Sequence, residues 1–238
     1  MEIKIIKERR KTASCSFKSG TLVVKMPFWI NQTEEQRVLQ RFVNWANKRI
    51  AKNPDLLLPN PLPSFQTGQK VQVGDHQFFL FIHPDLPTEN LKKEILSTSF
   101  GHILSVNSVG KSPEQLHKVV AKHIGKYFLP AVEKRVNQLN QLHFQQPIGA
   151  VQLKYMKSRW GSCSNKGNIS LSSRLLLAPP LVMDYVIIHE LAHRLEMNHS
   201  PKFWKLVRQA DPTYKEKEEW LKKNGRTCEF FPTNSSDH

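Results

Sequence analysis

Val38, Leu39, Phe42, Val43, Ala46 and Ile50 recur every three or four residues, the period of a helix with one apolar face. The run predicts a helix over residues 34–52, opened by a capping box at Thr33-Glu34-Glu35-Gln36 and stopped by Asn53-Pro54. Ahead of it, residues 11–18 and the β-branched TLVVKM flank Ser19-Gly20, which predicts a hairpin. Four prolines in PDLLLPNPLPSF mark a stiff connector. A second hairpin is expected where KVQV and HQFFLFIH flank Gly74-Asp75, with further strands around Ile95 and residues 102–106.

The second half changes period. Ser112-Pro113-Glu114 opens a long helix to about Leu142, with Val119, Val120, His123, Tyr127 and Val132 on its inner side and Gly125 and Pro130 as places to bend. A third hairpin is expected from residues 151–159, a turn around 161–167, and a strand over 168–172. Pro179-Pro180 then introduces a helix whose apolar residues (Val182, Tyr185, Val186, Ile188, Leu191, Ala192 and Leu195) cover most of its circumference, so it should be buried. Asp184 lies early enough to complement the helix dipole. Ser200-Pro201 reads as the cap and first residue of a new helix over residues 202–209, and a last helix over 212–223 should close at Asn224-Gly225. The pattern is that of an α+β fold in one compact unit. Its parts are a β-hairpin-rich region with one amphipathic helix (residues 1–110), a second region (111–226) that holds the remaining helices and a histidine-bearing motif, and a flexible tail (227–238).

Composition narrows the setting. No stretch has the roughly 18–20 apolar residues a membrane span needs, and MEIKIIKERRKTAS lacks the apolar core of a signal peptide. Cys15, Cys163 and Cys228 are widely spaced and odd in number, which favours a reducing, cytoplasmic setting over a disulfide framework. The net charge of +15 is distributed along the whole chain, and makes nucleic acid a possible partner through a basic surface.

The chemistry is concentrated in HELAHRLEMNHSPKFW. On a helix His189 and His193 lie about 40° apart and about 6 Å along the axis, so both rings can reach one cation. Glu190 points about 100° away from His189, off the metal but within reach of water beside it. An unbroken helix would turn His199 about 240° from His193, so His199 can join only if the helix ends and the chain folds back. Asn198, which tolerates left-handed backbone, and the restart at Ser200-Pro201 provide for that. Glu196, or one of Glu216, Glu218 and Glu219, are rival third ligands. Imidazole ligands with a position open to water point to one zinc ion, with Glu190 taking a proton from activated water and passing it to a leaving amine. A closed, non-catalytic zinc-binding interaction module fits less well, since such sites are usually rich in cysteine.

RRKTAS, MKSRWGSCSNKGNISLSSRLLLAPP and DYVIIHELAHRLEMNHSPKFW together resemble the YgjP-like metal-dependent hydrolases, relatives of the SprT-like and WLM metallopeptidases. The resemblance covers nearly the whole chain and is densest over residues 157–204. It implies a zincin-like core, a small sheet beside the HExxH helix, with His189, His193 and His199 on the metal and Glu190 catalytic. It also implies a protein or peptide substrate, laid along a strand edge expected at residues 168–172. Kinship with SprT-like proteases gives the basic charge a second reading, a protease recruited to nucleic acid. Metzincins share the histidine spacing but turn on a glycine where this chain has Glu196. Tyr214, Tyr155 and Asn198 are candidate oxyanion donors. Trp160 is expected to pack, Arg159 to lie at the surface or behind the site, Cys163 to be a simple buried thiol, and Phe203 and Trp204 to brace the turn.

Overall fold

The computed structural model describes residues 1–18, 20–52, 54, 65–84 and 95–230. The chain divides into two compact units, Met1–Leu62 and Pro63–His238, so the stretch expected as a single β-rich region over 1–110 is parted between them. Apart from Pro54 and Phe65, the proline-rich connector lies outside the described residues.

In the first unit β1 (Ile3–Glu8), β2 (Ser14–Lys18) and β3 (Thr21–Pro27) form a sheet of order β1-β3-β2. The expected hairpin is β2–β3, and β1 joins the other side of β3 in parallel. Leu22, Val24 and Met26 are fully buried against Val38 and Ala46 of α1 (Gln32–Lys52). The cap of α1 is Asn31 rather than Thr33: its side chain accepts from Glu34 N at 2.8 Å. Thr33 lies already inside the helix.

In the second unit β4 (Lys70–Val73), β5 (His76–His83), β6 (Ile95–Thr98) and β7 (Gly101–Asn107) make a sheet of order β4-β5-β7-β6. The hairpins β4–β5 and β6–β7 are joined by a parallel β5–β7 pair. α2 (Pro113–His143) follows, with the capping box Ser112/Gln115 in place and Pro130 inside the helix. At 1.5 Å per residue its 31 residues reach roughly 46 Å, long enough to serve two cores. Leu116, Val120, Ala121 and Ile124 pack with Val71, Phe78, Leu80 and Leu104 of the sheet. Val132, Val136 and Leu139 pack in the core around the helix that carries the histidines.

That core is built from β8 (Val151–Lys154), β9 (Gly161–Cys163), β10 (Ile169–Ser172), a 3-10 turn at Ser173–Leu177, α3 (Pro180–Ala192), α4 (Pro201–Ala210) and α5 (Tyr214–Asn224). The sheet order is β8-β10-β9, with β8 parallel and β9 antiparallel to β10. Residues 151–154 are therefore not one arm of a hairpin, and the strand expected to offer an edge, β10, is the inner one. The short segment at Gly161–Cys163 takes the edge because β10 is covered on both sides. α3 is buried over most of its surface, with Ile187, Leu191 and Ala192 fully inaccessible, but Leu181 in its first turn is exposed, and Leu195, expected on the same buried helix, lies past its end and is exposed. Asp184 does not serve the dipole; it accepts a two-pronged pair from Arg135 of α2 at 2.8 and 2.7 Å.

Residues 227–230 are not a loose tail. Phe230 is fully buried in the core of the four-stranded sheet, and Glu229 pairs with Arg174 at 2.9 Å and accepts from the Tyr155 hydroxyl at 2.8 Å. A charged pair reinforced by a buried aromatic holds the chain end in place, against the expectation drawn from its polar sequence; residues 231–238 lie outside the described set. Among the described residues no helix is long and apolar enough to cross a membrane.

Candidate active site

α3 ends one residue before His193. Arg194 N and Leu195 N bond to Leu191 O and Ala192 O at 2.9 and 3.0 Å, tightening the last turn to a three-residue step, while Glu196 N bonds to Ala192 O at 3.0 Å. The reversal thus begins at His193 itself and needs no left-handed residue. Among the described residues only Gln145 combines a side chain with positive φ, so Asn198 does not play the part expected of it. The same tightening explains how Glu196 can stand where a glycine-turned site needs a glycine: its carbonyl accepts from His193 Nδ1 at 3.1 Å. A carbonyl can only accept, so Nδ1 carries the proton and Nε2 presents its lone pair.

The chain then falls back to His199. Ser200 caps α4 by accepting from Phe203 N at 3.3 Å, as the Ser200-Pro201 pair predicts. The fully buried ring of Phe203 sits beneath all three imidazoles, with centroids 4.9, 4.5 and 4.8 Å from those of His189, His193 and His199. Trp204 stacks on His199. His189 Nε2 and His199 Nε2 are 3.0 Å apart, and one nitrogen from each of the three rings lies within 4.8 Å of the others. Burial first, then the neighbouring rings of His193 and His199, hold the His189 pKa down to about 3. Burial likewise lowers that of His193. Two neutral imidazoles offering lone pairs to one point, with a third ring converging on it, suit a borderline-soft divalent cation such as zinc.

Glu190 is 6% exposed and faces β9. A Cβ at Gly161 would lie 2.4 Å from Glu190 Oε1, so the glycine serves this close approach rather than the tight turn expected there. Burial raises the Glu190 pKa to about 7, and the charge of Arg159 pulls against that rise. A cavity of about 360 Å³ opens beside it, lined among others by Arg159, Trp160, Tyr185, His189, Glu190 and Leu221.

The rival ligands stay apart from the triad. Glu196 Oε1 accepts from Asn198 N at 3.4 Å, and Glu218 and Glu219 pair with Lys222 and Lys223 along α5. Among the described residues the convergent donor group is His189, His193 and His199 alone. Tyr155 is committed to Glu229, and Tyr214 is buried and stacked on Trp204. The tyrosine on the cavity wall is Tyr185, which sequence reading placed in the core. Its signal was available: it precedes His189 by four residues and so shares its helix face. Cys163 is half-buried with its thiol pKa raised by burial.

Residues 11–224 match the family described as YgjP-like, metallopeptidase domain. The chain belongs to this family. It is a metallopeptidase domain by that match. Two solved structures are similar to part of it. The metallopeptidase zymogen of Pyrococcus abyssi abylysin is 27% identical, covering 42% of this chain and 98% of its own, with a TM-score of 0.37. That of Methanocaldococcus jannaschii jannalysin is 23% identical, covering 39% and 95%, with a TM-score of 0.34. Family membership rests on the sequence match. No curated protein is similar enough to match.

Proposed function

We propose that this YgjP-like domain is a zinc-dependent peptidase in which His189, His193 and His199 hold one zinc ion and Glu190 is the general base. The observation that carries the reading is the juxtaposition of three convergent imidazole nitrogens with a buried carboxylate whose pKa lies near 7, against a cavity open to substrate. Zinc, when bound, supplies Lewis-acid polarisation of the scissile carbonyl and a lowered pKa for water. The protein's own groups do the rest. The Glu196 carbonyl and the Phe203 ring hold the imidazoles in register. Glu190 takes a proton from the attacking water and delivers it to the amine nitrogen as the C–N bond breaks. Among the described residues no strand pairs with the outer edge of β9, and an extended peptide can add to it by backbone hydrogen bonds. Nucleic acid enters only through the charge of +15; cleavage of the same substrate unaltered by DNA at low salt removes it.

The test is Glu190→Gln with zinc content measured alongside. We expect full zinc occupancy and a fall in kcat/KM of about 100- to 10,000-fold. Undiminished turnover with zinc retained overturns Glu190 as the base.

A further inference from the structure

A second cavity, of about 190 Å³, adjoins the first and shares Arg159, Trp160 and Leu221 with it. The rest of its wall is Lys157, Ser158, Arg174, Gly225 and Arg226, so four cations surround a space of that size. Two of them already have partners. Lys157 pairs with Glu114 at 2.9 Å. Arg174 is buried, pairs with Glu229 at 2.9 Å, and spends its remaining N–H groups on the carbonyls of Met156, Lys157, Gly225 and Cys228. Arg159 and Arg226 have no such partner: among the described residues no carboxylate lies within ion-pair distance of either. Both are exposed at the mouth.

The floor of this cavity is rigid. The Arg174 guanidinium lies 4.5 Å from the Trp160 ring centroid, and a Cβ at Gly225 would come within 2.5 Å of Trp160 Cζ2. The glycine that ends α5 has right-handed angles, so its role is this approach and not a left-handed cap. Arg226 follows it directly and lines the same cavity as Arg159.

We propose that this cavity is a carboxylate-binding subsite of the peptidase, with Arg159 and Arg226 as its binding cations. It rests on the peptidase reading for the identity of the ligand. Guanidinium forks match a carboxylate in two-pronged fashion, and Arg174 and Lys157, already paired with Glu229 and Glu114, leave that role to Arg159 and Arg226. The carboxylate can be an Asp or Glu side chain or the free end of the peptide. The two cavities share Arg159, Trp160 and Leu221, so an extended peptide whose scissile bond lies at Glu190 in the first can run on into the second.

The experiment measures equilibrium binding of matched peptides to the full-length, zinc-loaded Glu190→Gln protein at low ionic strength. One arm compares Glu with Gln at each of three positions on either side of the central bond. The other compares a free carboxyl terminus with its amide. In at least one arm the carboxylate member binds about tenfold tighter, the size expected of a hydrogen bond to a charged group. The arm that shows it identifies the source. Adding Arg226→Gln, or Arg159→Gln, brings the ratio close to one. Equal binding of both members in every pair, absence of any binding, or a preference that survives both substitutions overturns the subsite. Cleavage by the unsubstituted protein is scored separately: a carboxylate preference in binding with no peptide cut in the presence of zinc keeps the subsite and rejects the peptidase.

Discussion

The second unit holds two clusters of histidine, and they differ in what their nitrogens face. In the four-stranded sheet, His76 Nδ1 meets His102 Nε2 at 2.9 Å, Tyr127 Oη approaches the same nitrogen at 3.2 Å, and Ser97 Oγ meets His102 Nδ1 at 3.1 Å. Both nitrogens of His102 are occupied by protein partners, and the rings are packed among Phe78 and Phe128. In the triad, His193 is oriented by a backbone carbonyl, and one nitrogen of each ring turns inward with no hydroxyl or carboxylate to meet it. Proximity of histidines is common to both. Among the described residues, three ring nitrogens converging on one point with an acid beside it belong to the second alone, and that is the property a catalytic metal site requires.

Removing one ring from each cluster breaks the comparison most directly. A zinc site contributes roughly 10–16 kcal/mol over its ligands, so His199→Ala should weaken zinc binding about a thousandfold. His102→Ala, in a separate network, should leave it within about twofold. Competition with a chelator of known affinity measures both, and comparable losses would mean that the distinction drawn between the clusters is false.

The two regions also titrate in opposite directions. Glu190 has its pKa raised to about 7 in the folded protein, so the folded state holds its proton more tightly than the unfolded one. In zinc-free protein, stability from this group is therefore present below about pH 4.5 and is lost as pH rises to about 7, by roughly 3 kcal/mol. His102 is depressed, by burial and then by His76, and costs stability as pH falls below the ordinary histidine range. Denaturant midpoints of the zinc-free protein across that range should show the Glu190 slope vanish in Glu190→Gln; an unchanged slope rejects the assignment.

Paired serine substitutions sharpen the contrast at smaller scale. Ser97→Ala removes a partner of His102, and Ser200→Ala removes the cap behind His199. Each should cost about 1 kcal/mol of stability. Only Ser200→Ala should also weaken zinc binding, because only that serine anchors a ligand's backbone. Stability and zinc titration of the two variants side by side decide it.

The division between what was readable and what was not follows the range of the interaction. HELAHRLEMNHSP contains the candidate site because His189, Glu190 and His193 fall within one helix and its last turn, and Ser200-Pro201 restarts the helix directly after His199; these are local properties of spacing and capping. The buried α3, the span of α2 and the hairpins β2–β3 and β4–β5 were likewise legible from period and turn residues. Long-range pairing was not. Parallel β8–β10 contact, the exchange of edge and inner roles between β9 and β10, the seating of Glu190 against Gly161, and the capture of Glu229 by Arg174 each join residues far apart in the chain. Sequence alone determined which groups could carry the chemistry. Tertiary packing decided which of them meet, because a carboxylate's pKa and a strand's free edge depend on neighbours that no local pattern specifies.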